Sequence, residues 1–247
     1  MRNQLYSAII TGASGGIGKK TAERFARGGY RLFLQGHKHM DELTLLANTL
    51  QATYNVPVHI LQADVADYTS VQQMFQQIFQ EDNAPDVLIN NAGIAFFSLL
   101  QDMDEADWDR VMDTNVKSVF SCCKAVLPSM IAQHRGSIIN ISSMWGNVGS
   151  SMEVAYSASK GAINAFTRAL GKEVAPSGIR VNAIACGVID TPMNHCLSPE
   201  DRQALADEIP AGRFGRPDEV ADLVWYLASE QSSYMNAQVL TLDGAYL

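Results

Sequence analysis

The chain runs to 247 residues, 47% of them hydrophobic and 18% charged, a balance that supports a substantial core and excludes a disordered polymer. A formal net charge of -8 excludes nonspecific wrapping of nucleic acid, which rests on clustered Lys and Arg, yet leaves room for a small anion at a helix N-terminus. No apolar run reaches the ~18 residues that a membrane-spanning helix needs.

The opening MRNQLYSAII lacks the apolar core and cleavage site of an export signal. Cys122, Cys123, Cys186 and Cys196 form neither a CxxC pair nor a metal-ligand spacing with His. The expectation is a reducing, cytoplasmic setting with no metal, no membrane contact and no nucleic-acid partner.

Short apolar runs alternate with amphipathic stretches along the chain. A strand over residues 6–10 leads through a Gly-rich turn into a helix over 19–27, followed by a strand over 31–34 and a helix over 40–53. A strand over 58–61, a helix over 70–80 and a strand over 87–89 come next. One long helix is predicted over 104–133, then a strand over 137–141, a helix over 155–174 and a strand over 179–184. A helix over 217–228 and a short strand over 239–242 close the pattern. Such alternation predicts a Rossmann-like, doubly wound α/β fold of about seven parallel strands flanked by helices. No repeat or linker divides the chain, so residues 1–247 read as a single domain.

Ligands of such sheets bind beyond the C-terminal strand ends. The first of those ends carries Thr11-Gly12-Ala13-Ser14-Gly15-Gly16-Ile17-Gly18, opening a helix. Glycines there permit a tight turn and let backbone approach a pyrophosphate resting on the helix N-terminus. An acid after the second strand would accept hydrogen bonds from the ribose hydroxyls of NAD. The sequence instead reads Gln35-Gly36-His37-Lys38-His39, so His37 and Lys38 favour the 2′-phosphate of NADP(H) over NAD(H). A solvated basic turn is the alternative for that pair, and Gly15, where a base would have helped, weighs against NADP(H).

Tyr156 and Lys160 stand four residues apart in a predicted helix, a spacing that places a phenol and an ammonium on one face. The cation is expected to lower the phenol's pKa and suit it to acid–base work on a carbonyl or alcohol.

The Gly-rich loop, Asn90-Asn91-Ala92-Gly93, Asn115, Ser143 and Tyr156-x-x-x-Lys160 occur in order, and with them the chain resembles the short-chain dehydrogenase/reductase family over residues 10–244. The resemblance implies an oxidoreductase in which Tyr156 donates a proton to the substrate oxygen and Ser143 positions that oxygen. Lys160 would hold the nicotinamide ribose and tune Tyr156, and Asn115 would anchor a water in a proton relay. Asp64 and Val65 would flank the adenine, Asn91, Ala92 and Gly93 would line the cofactor path, and Gly187, Ile189 and Thr191 would meet the carboxamide and phosphates. Two residues keep a plainer reading: Asn115 bonded to nearby backbone, and Asp64 capping a turn. Ser142 competes with Ser143, which alone has the family's spacing to Tyr156.

Three departures stand out. Cys186-Gly187 replaces the usual Pro-Gly, with Cys186 read as a structural substitution rather than a reactive thiol. Asp243-Gly244-Ala245 and Met235-Asn236-Ala237 alter a region that family tetramers use as an interface, so a homotetramer or homodimer is expected.

Length and the stretch from Gly212 to Val220 look most like 3-oxoacyl-acyl-carrier-protein reductases, implying a carrier-bound or small-molecule ketone. The positions matching that group's basic docking residues are His134 and Ser177, with Arg135 adjoining, a weak match for an acidic carrier. Other ketones are the runner-up: a small metabolite, a sugar, or an aminopentanone group on a translation factor. A nicotinamide-binding sensor is the reading from another class. Residues 192–210, bracketed by Pro192 and Pro210 with a short helix after Ser198, read as a substrate lid.

Overall fold

The computed structural model describes residues 5–82, 85–194 and 197–247. Strands form at the apolar runs: β1 (Ser7–Ile10), β2 (Arg31–Gly36), β3 (Val58–Gln62), β4 (Val87–Asn90), β5 (Gly136–Ser143), β6 (Ile179–Cys186) and β7 (Val239–Leu242). They make one parallel sheet in the order β3-β2-β1-β4-β5-β6-β7. From β1 the chain builds outward to β3, then returns to lay β4 on the other side of β1. Chain leaving β1 and β4 therefore departs in opposite directions, and a crevice opens beyond their C-terminal ends.

Alternation along each strand supplies two cores. Ile10, Leu32, Leu34 and Ile89 face one side, under Ala22 and Phe25 of α1 (Gly16–Arg27), Leu43 and Leu46 of α2 (Met40–Tyr54), and Val220 and Val224 of α9 (Pro217–Ala228). Ile9, Phe33 and Leu88 face the other side. There they meet Met74 and Phe75 of α3 (Tyr68–Glu81), Val126 of α5 (Ser118–Gln133) and Ile163 of α7 (Val154–Val174). Each such side chain contributes about 1.5–3 kcal/mol on burial, so both layers are held by many independent terms.

The long helix expected over 104–133 is three elements. α4 (Glu105–Met112) passes through a π-helical turn (Asp113–Lys117) into α5. A π turn adds a residue to the hydrogen-bond ladder without altering composition, so hydrophobic period does not betray it. Its consequence is a fully buried Asn115. A four-residue helix, α6 (Trp145–Val148), also follows β5, and α8 (Pro199–Glu208) begins where Ser198 accepts from the Asp201 N–H. Residues 195 and 196, including Cys196, lie outside the described residues of the lid segment.

α7 carries both Tyr156 and Lys160, and buried polar bonds fix it to the sheet. Asn90 Nδ2 donates to Asn140 Oδ1 (2.8 Å), and Asn140 Nδ2 donates to Thr167 Oγ1 (2.9 Å), tying β4, β5 and α7 together. Ser142 adds a 2.6 Å bond to Asn164 Oδ1 on α7. Thr167→Val keeps the shape but leaves the Asn140 amide without its acceptor, which costs about 1–3 kcal/mol. Urea unfolding should show that loss as a lower midpoint at constant slope; an unchanged midpoint would remove the network from the account.

Candidate active site

Residues 11–15 join β1 to α1, with Gly12 at a φ of +62° that side chains resist. Thr11 Oγ1 accepts from the N–H groups of Asn91 and Ala92 (3.0 Å each). Asn91 Nδ2 returns two bonds, to the carbonyls of Thr11 (2.9 Å) and Gly12 (3.0 Å). From the other side, Gln35 Oε1 accepts from Gly12 N–H and its Nε2 donates to the Ala63 carbonyl, both at 2.8 Å. The loop is thus bolted to the ends of β4, β2 and β3.

What the loop presents is bare helix N-terminus. Asp67 caps α3 and Asp104 caps α4, but no side chain caps α1 and its first turn holds no acid. Its leading N–H groups therefore stay unopposed beside a cavity lined by Gly12, Ser14, Gly15, Gly16 and Ile17, the arrangement that binds phosphate. Cβ atoms would close it: one on Gly16 would lie 2.8 Å from Thr191 Cγ2, and one on Gly18 would overlap the Gly12 carbonyl.

The cavity, about 490 Å³, continues from this cradle past Asn91, Ala92 and Gly93 to Ser143, Tyr156 and Lys160, and back along Gly187, Ile189 and Thr191. Ser143 ends β5, and its hydroxyl hydrogen-bonds the Tyr156 phenol. Ser142, on the same strand end, is spent holding α7, which separates the two serines by function. Lys160 Nζ donates to the Ile141 carbonyl (2.9 Å) and sits 5.5 Å from the Tyr156 ring centroid.

Burial governs the electrostatics. It lowers Lys160 to about 8, leaving the amine largely protonated at neutral pH. Burial also pushes the Tyr156 phenol well above its usual range, with the Ser143 hydrogen bond opposing only in part. The sequence expectation of a phenol lowered by Lys160 is therefore not met: desolvation leads, Cys186 and Glu153 add to it, and the Ser143 hydrogen bond alone opposes it. Cys186 lies in the cavity wall with its thiol raised to about 12 by burial, as a structural replacement would be.

Asn115 and the adenine end differ from expectation in detail. The Asn115 amide is committed on both sides: Oδ1 accepts from Ile94 N–H (2.8 Å), and Nδ2 donates to the Ile94 carbonyl and Ser159 Oγ (2.9 Å each). Two of these partners are nearby backbone, as the plainer reading had it, and Oδ1 keeps a second lone pair for a further donor. Asp64 likewise accepts from Ala66 N–H (3.0 Å), as a turn-capping residue does, and its other neighbour is His37 Nδ1 at 4.0 Å. His37, Lys38, Asp64 and Val65 lie off the main cavity, at the ends of β2 and β3. Lys38 enters no ion pair among the described residues.

Sequence reasoning gave Gln35 and Thr11 no role of their own and passed over Glu153. Gln35 announces itself as a polar residue in an apolar strand; the others carry no comparable signal. Among the described residues no cluster of His, Cys, Asp and Glu could hold a metal, and no helix is long and apolar enough to cross a membrane.

A parallel sheet with an anion cradle at its chain reversal and a Ser–Tyr–Lys group in the same cavity defines an oxidoreductase that acts on C=O and CH–OH groups. The chain belongs to the short chain dehydrogenase family, whose signature matches residues 6–202. It is 40% identical to an uncharacterized oxidoreductase of Bacillus subtilis, covering 97% of this chain and 98% of that one. It is 39% identical to a 3-oxoacyl-[acyl-carrier-protein] reductase of Thermotoga maritima (99% and 98%) and 37% identical to that of Staphylococcus aureus (96% and 96%).

The family binds a nicotinamide cofactor, and the residues present fit one: uncapped N–H groups for its phosphates and glycines where its backbone contacts fall. Gly18→Ala should therefore abolish cofactor binding measured by fluorescence titration, and overpacking should cost about 1–3 kcal/mol of stability. Unaltered affinity in a folded Gly18→Ala protein would contradict the cradle.

Proposed function

We propose that the protein reduces a ketone to a secondary alcohol with NADP(H), Tyr156 donating the proton. The observation that carries this reading is the Tyr156 phenol, hydrogen-bonded to Ser143 with Lys160 Nζ 5.5 Å from its ring centroid, in a cavity continuous with the phosphate cradle. The nicotinamide, when bound, supplies the hydride.

Ser143 and Tyr156 both direct hydroxyls at the carbonyl oxygen and orient it. As negative charge grows there, the Tyr156 Oη proton passes to the oxygen and leaves a phenolate. Lys160, charged at neutral pH, stabilises that phenolate and the ribose hydroxyls next to it. The backbone at Asn91, Ala92 and Gly93 and at Gly187, Ile189 and Thr191 walls the cofactor path. Lys38, without an ion pair among the described residues, and His37, 4.0 Å from Asp64, follow the end of β2 and would face the 2′-phosphate.

A 3-oxoacyl thioester is the first substrate to test, since two relatives are named for such chemistry and an apolar wall including Phe97, Met144 and Trp145 suits an acyl chain. An acyl carrier protein is less well supported. His134, Arg135 and Ser177 precede β5 and β6, at the N-terminal strand ends opposite the cavity, so a carrier docked there would have to feed a neighbouring subunit. Arg135 is also bound to Asp86 at 2.8 Å. Another ketone is favoured by one observation: a buried carboxyl, Glu153, lines the cavity.

Residues 192–210 serve as a lid. α8 buries none of its side chains; Arg202 pairs with Asp190 (2.9 Å) and stacks over the Phe214 ring, and Glu208 accepts from the Tyr246 hydroxyl (2.8 Å). Exposed Leu99, Leu100 and Phe120 suit self-association as a homodimer or homotetramer.

The test is loss of nicotinamide absorbance on mixing with an acetoacetyl thioester, comparing NADPH with NADH. NADPH should be oxidised faster, and Tyr156→Phe should lose about 10²–10⁴-fold in kcat while still binding NADPH. Full turnover by Tyr156→Phe would overturn the proton-donor assignment, and a faster reaction with NADH would overturn the cofactor preference.

A further inference from the structure

Beyond β7 the chain makes a turn that sequence alone does not explain. Ala245 follows Gly244 into the left-handed backbone region, at φ values of +68° and +69°. Glycine enters that region freely, whereas alanine resists it, so something must hold the turn. Asp243 does: its two carboxylate oxygens accept from the N–H groups of Ala245 (3.0 Å) and Leu247 (3.1 Å). The Gly244 carbonyl accepts from Ala211 N–H (3.1 Å), and a Cβ on Gly244 would lie 2.9 Å from Ile209 Cγ2. The turn is therefore seated against the chain that leaves α8.

What the turn aims is Tyr246. Its hydroxyl donates to Glu208 Oε2 at 2.8 Å, in the last turn of α8, and its ring meets Trp145 edge-on with centroids 6.2 Å apart. The hydrogen bond to Glu208 is the leading cause that raises the phenol above its ordinary pKa. Trp145 lines the active-site cavity, and so does Leu205, three residues before Glu208 on α8. Tyr246 is not among the described residues of that wall, yet it touches one residue of the wall directly and grips the helix that supplies another. Near the start of α8, Arg202 pairs with Asp190 and stacks over Phe214, so the other end of the helix is anchored separately.

Resting on the ketone-reductase reading, we propose that Tyr246 is a positioning residue for the substrate, tying the last turn of α8 to Trp145 and so fixing the gap between the Leu205 and Trp145 sides of the pocket. Ser143, Tyr156 and the phosphate cradle lie on other parts of the cavity wall. Loss of the tie loosens the hold on the ketone and leaves the chemistry and the cofactor site as they are.

Four variants separate the parts of the tie. Tyr246→Phe keeps the ring and drops the hydroxyl, and Tyr246→Ala drops both. Glu208→Leu removes the acceptor, and Glu208→Gln keeps an amide oxygen that can accept. With NADPH and an acetoacetyl thioester, Tyr246→Phe and Glu208→Leu should each raise KM about two- to tenfold, the reach of one hydrogen bond, with kcat within about twofold. Tyr246→Ala should raise it further, and Glu208→Gln should restore most of what Glu208→Leu loses. NADPH affinity by fluorescence titration should be the same throughout. Amide exchange of the free protein reads the tie without turnover: Tyr246→Phe should speed residues 199–208, and Tyr246→Ala residues 145–148 as well. Unchanged KM or unchanged exchange in Tyr246→Ala, or a KM rise matched by lost NADPH affinity, overturns the inference and leaves the reductase reading standing. A wild type silent with the thioester counts against the reductase reading, and the exchange rates alone then decide the tie.

Discussion

Everything in the site depends on the bolt between Thr11 and Asn91. β1 and β4 lie side by side, but the chain leaves them in opposite directions, so nothing covalent holds their ends in register there. Four hydrogen bonds between residues 11–12 and 91–92 do. They set the Gly-rich turn against the sheet, and Gln35 braces it from β2. Without that frame the uncapped N-terminus of α1 would have no fixed relation to Ser143 and Tyr156. With it, the anion cradle and the Tyr156 phenol line one cavity.

The second constraint is the cost of burying α7's polar face. Asn140, Thr167, Ser142 and Asn164 meet that cost among themselves, which makes the helix position rigid. Tyr156 and Lys160 lie on the same buried side, and desolvation moves them in opposite directions on the pH scale. The result is a neutral acid next to a largely charged base at neutral pH. For reduction of a carbonyl that is the useful pair, since the proton is present when needed and the charge left behind has a partner.

The strand pattern and the cradle were legible because each depends on local rules: short apolar runs between amphipathic helices, and glycines where backbone must come close. Ser143, Tyr156 and Lys160 were legible from spacing. The π turn at Asn115 was not, because it alters hydrogen bonding without altering composition. Gln35 and Thr11 act through partners about 20 to 80 residues away, contacts that no local reading supplies. The Tyr156 pKa went the other way for a related reason: spacing to Lys160 is visible in sequence, but depth of burial is not. His37 and Asp64 were each singled out, and only folding reveals that they face one another.

The central claim is that one crevice at the chain reversal receives the pyrophosphate and the nicotinamide end of the cofactor. Amide hydrogen exchange with saturating NADPH tests it directly, because it reads backbone sites without requiring turnover or knowledge of the ketone. Exchange should slow at residues 12–18, 91–93 and 187–191 together, while the loops at the opposite edge of the sheet keep their rates. Unchanged exchange in those three segments, or slowing confined to another part of the chain, would contradict the account.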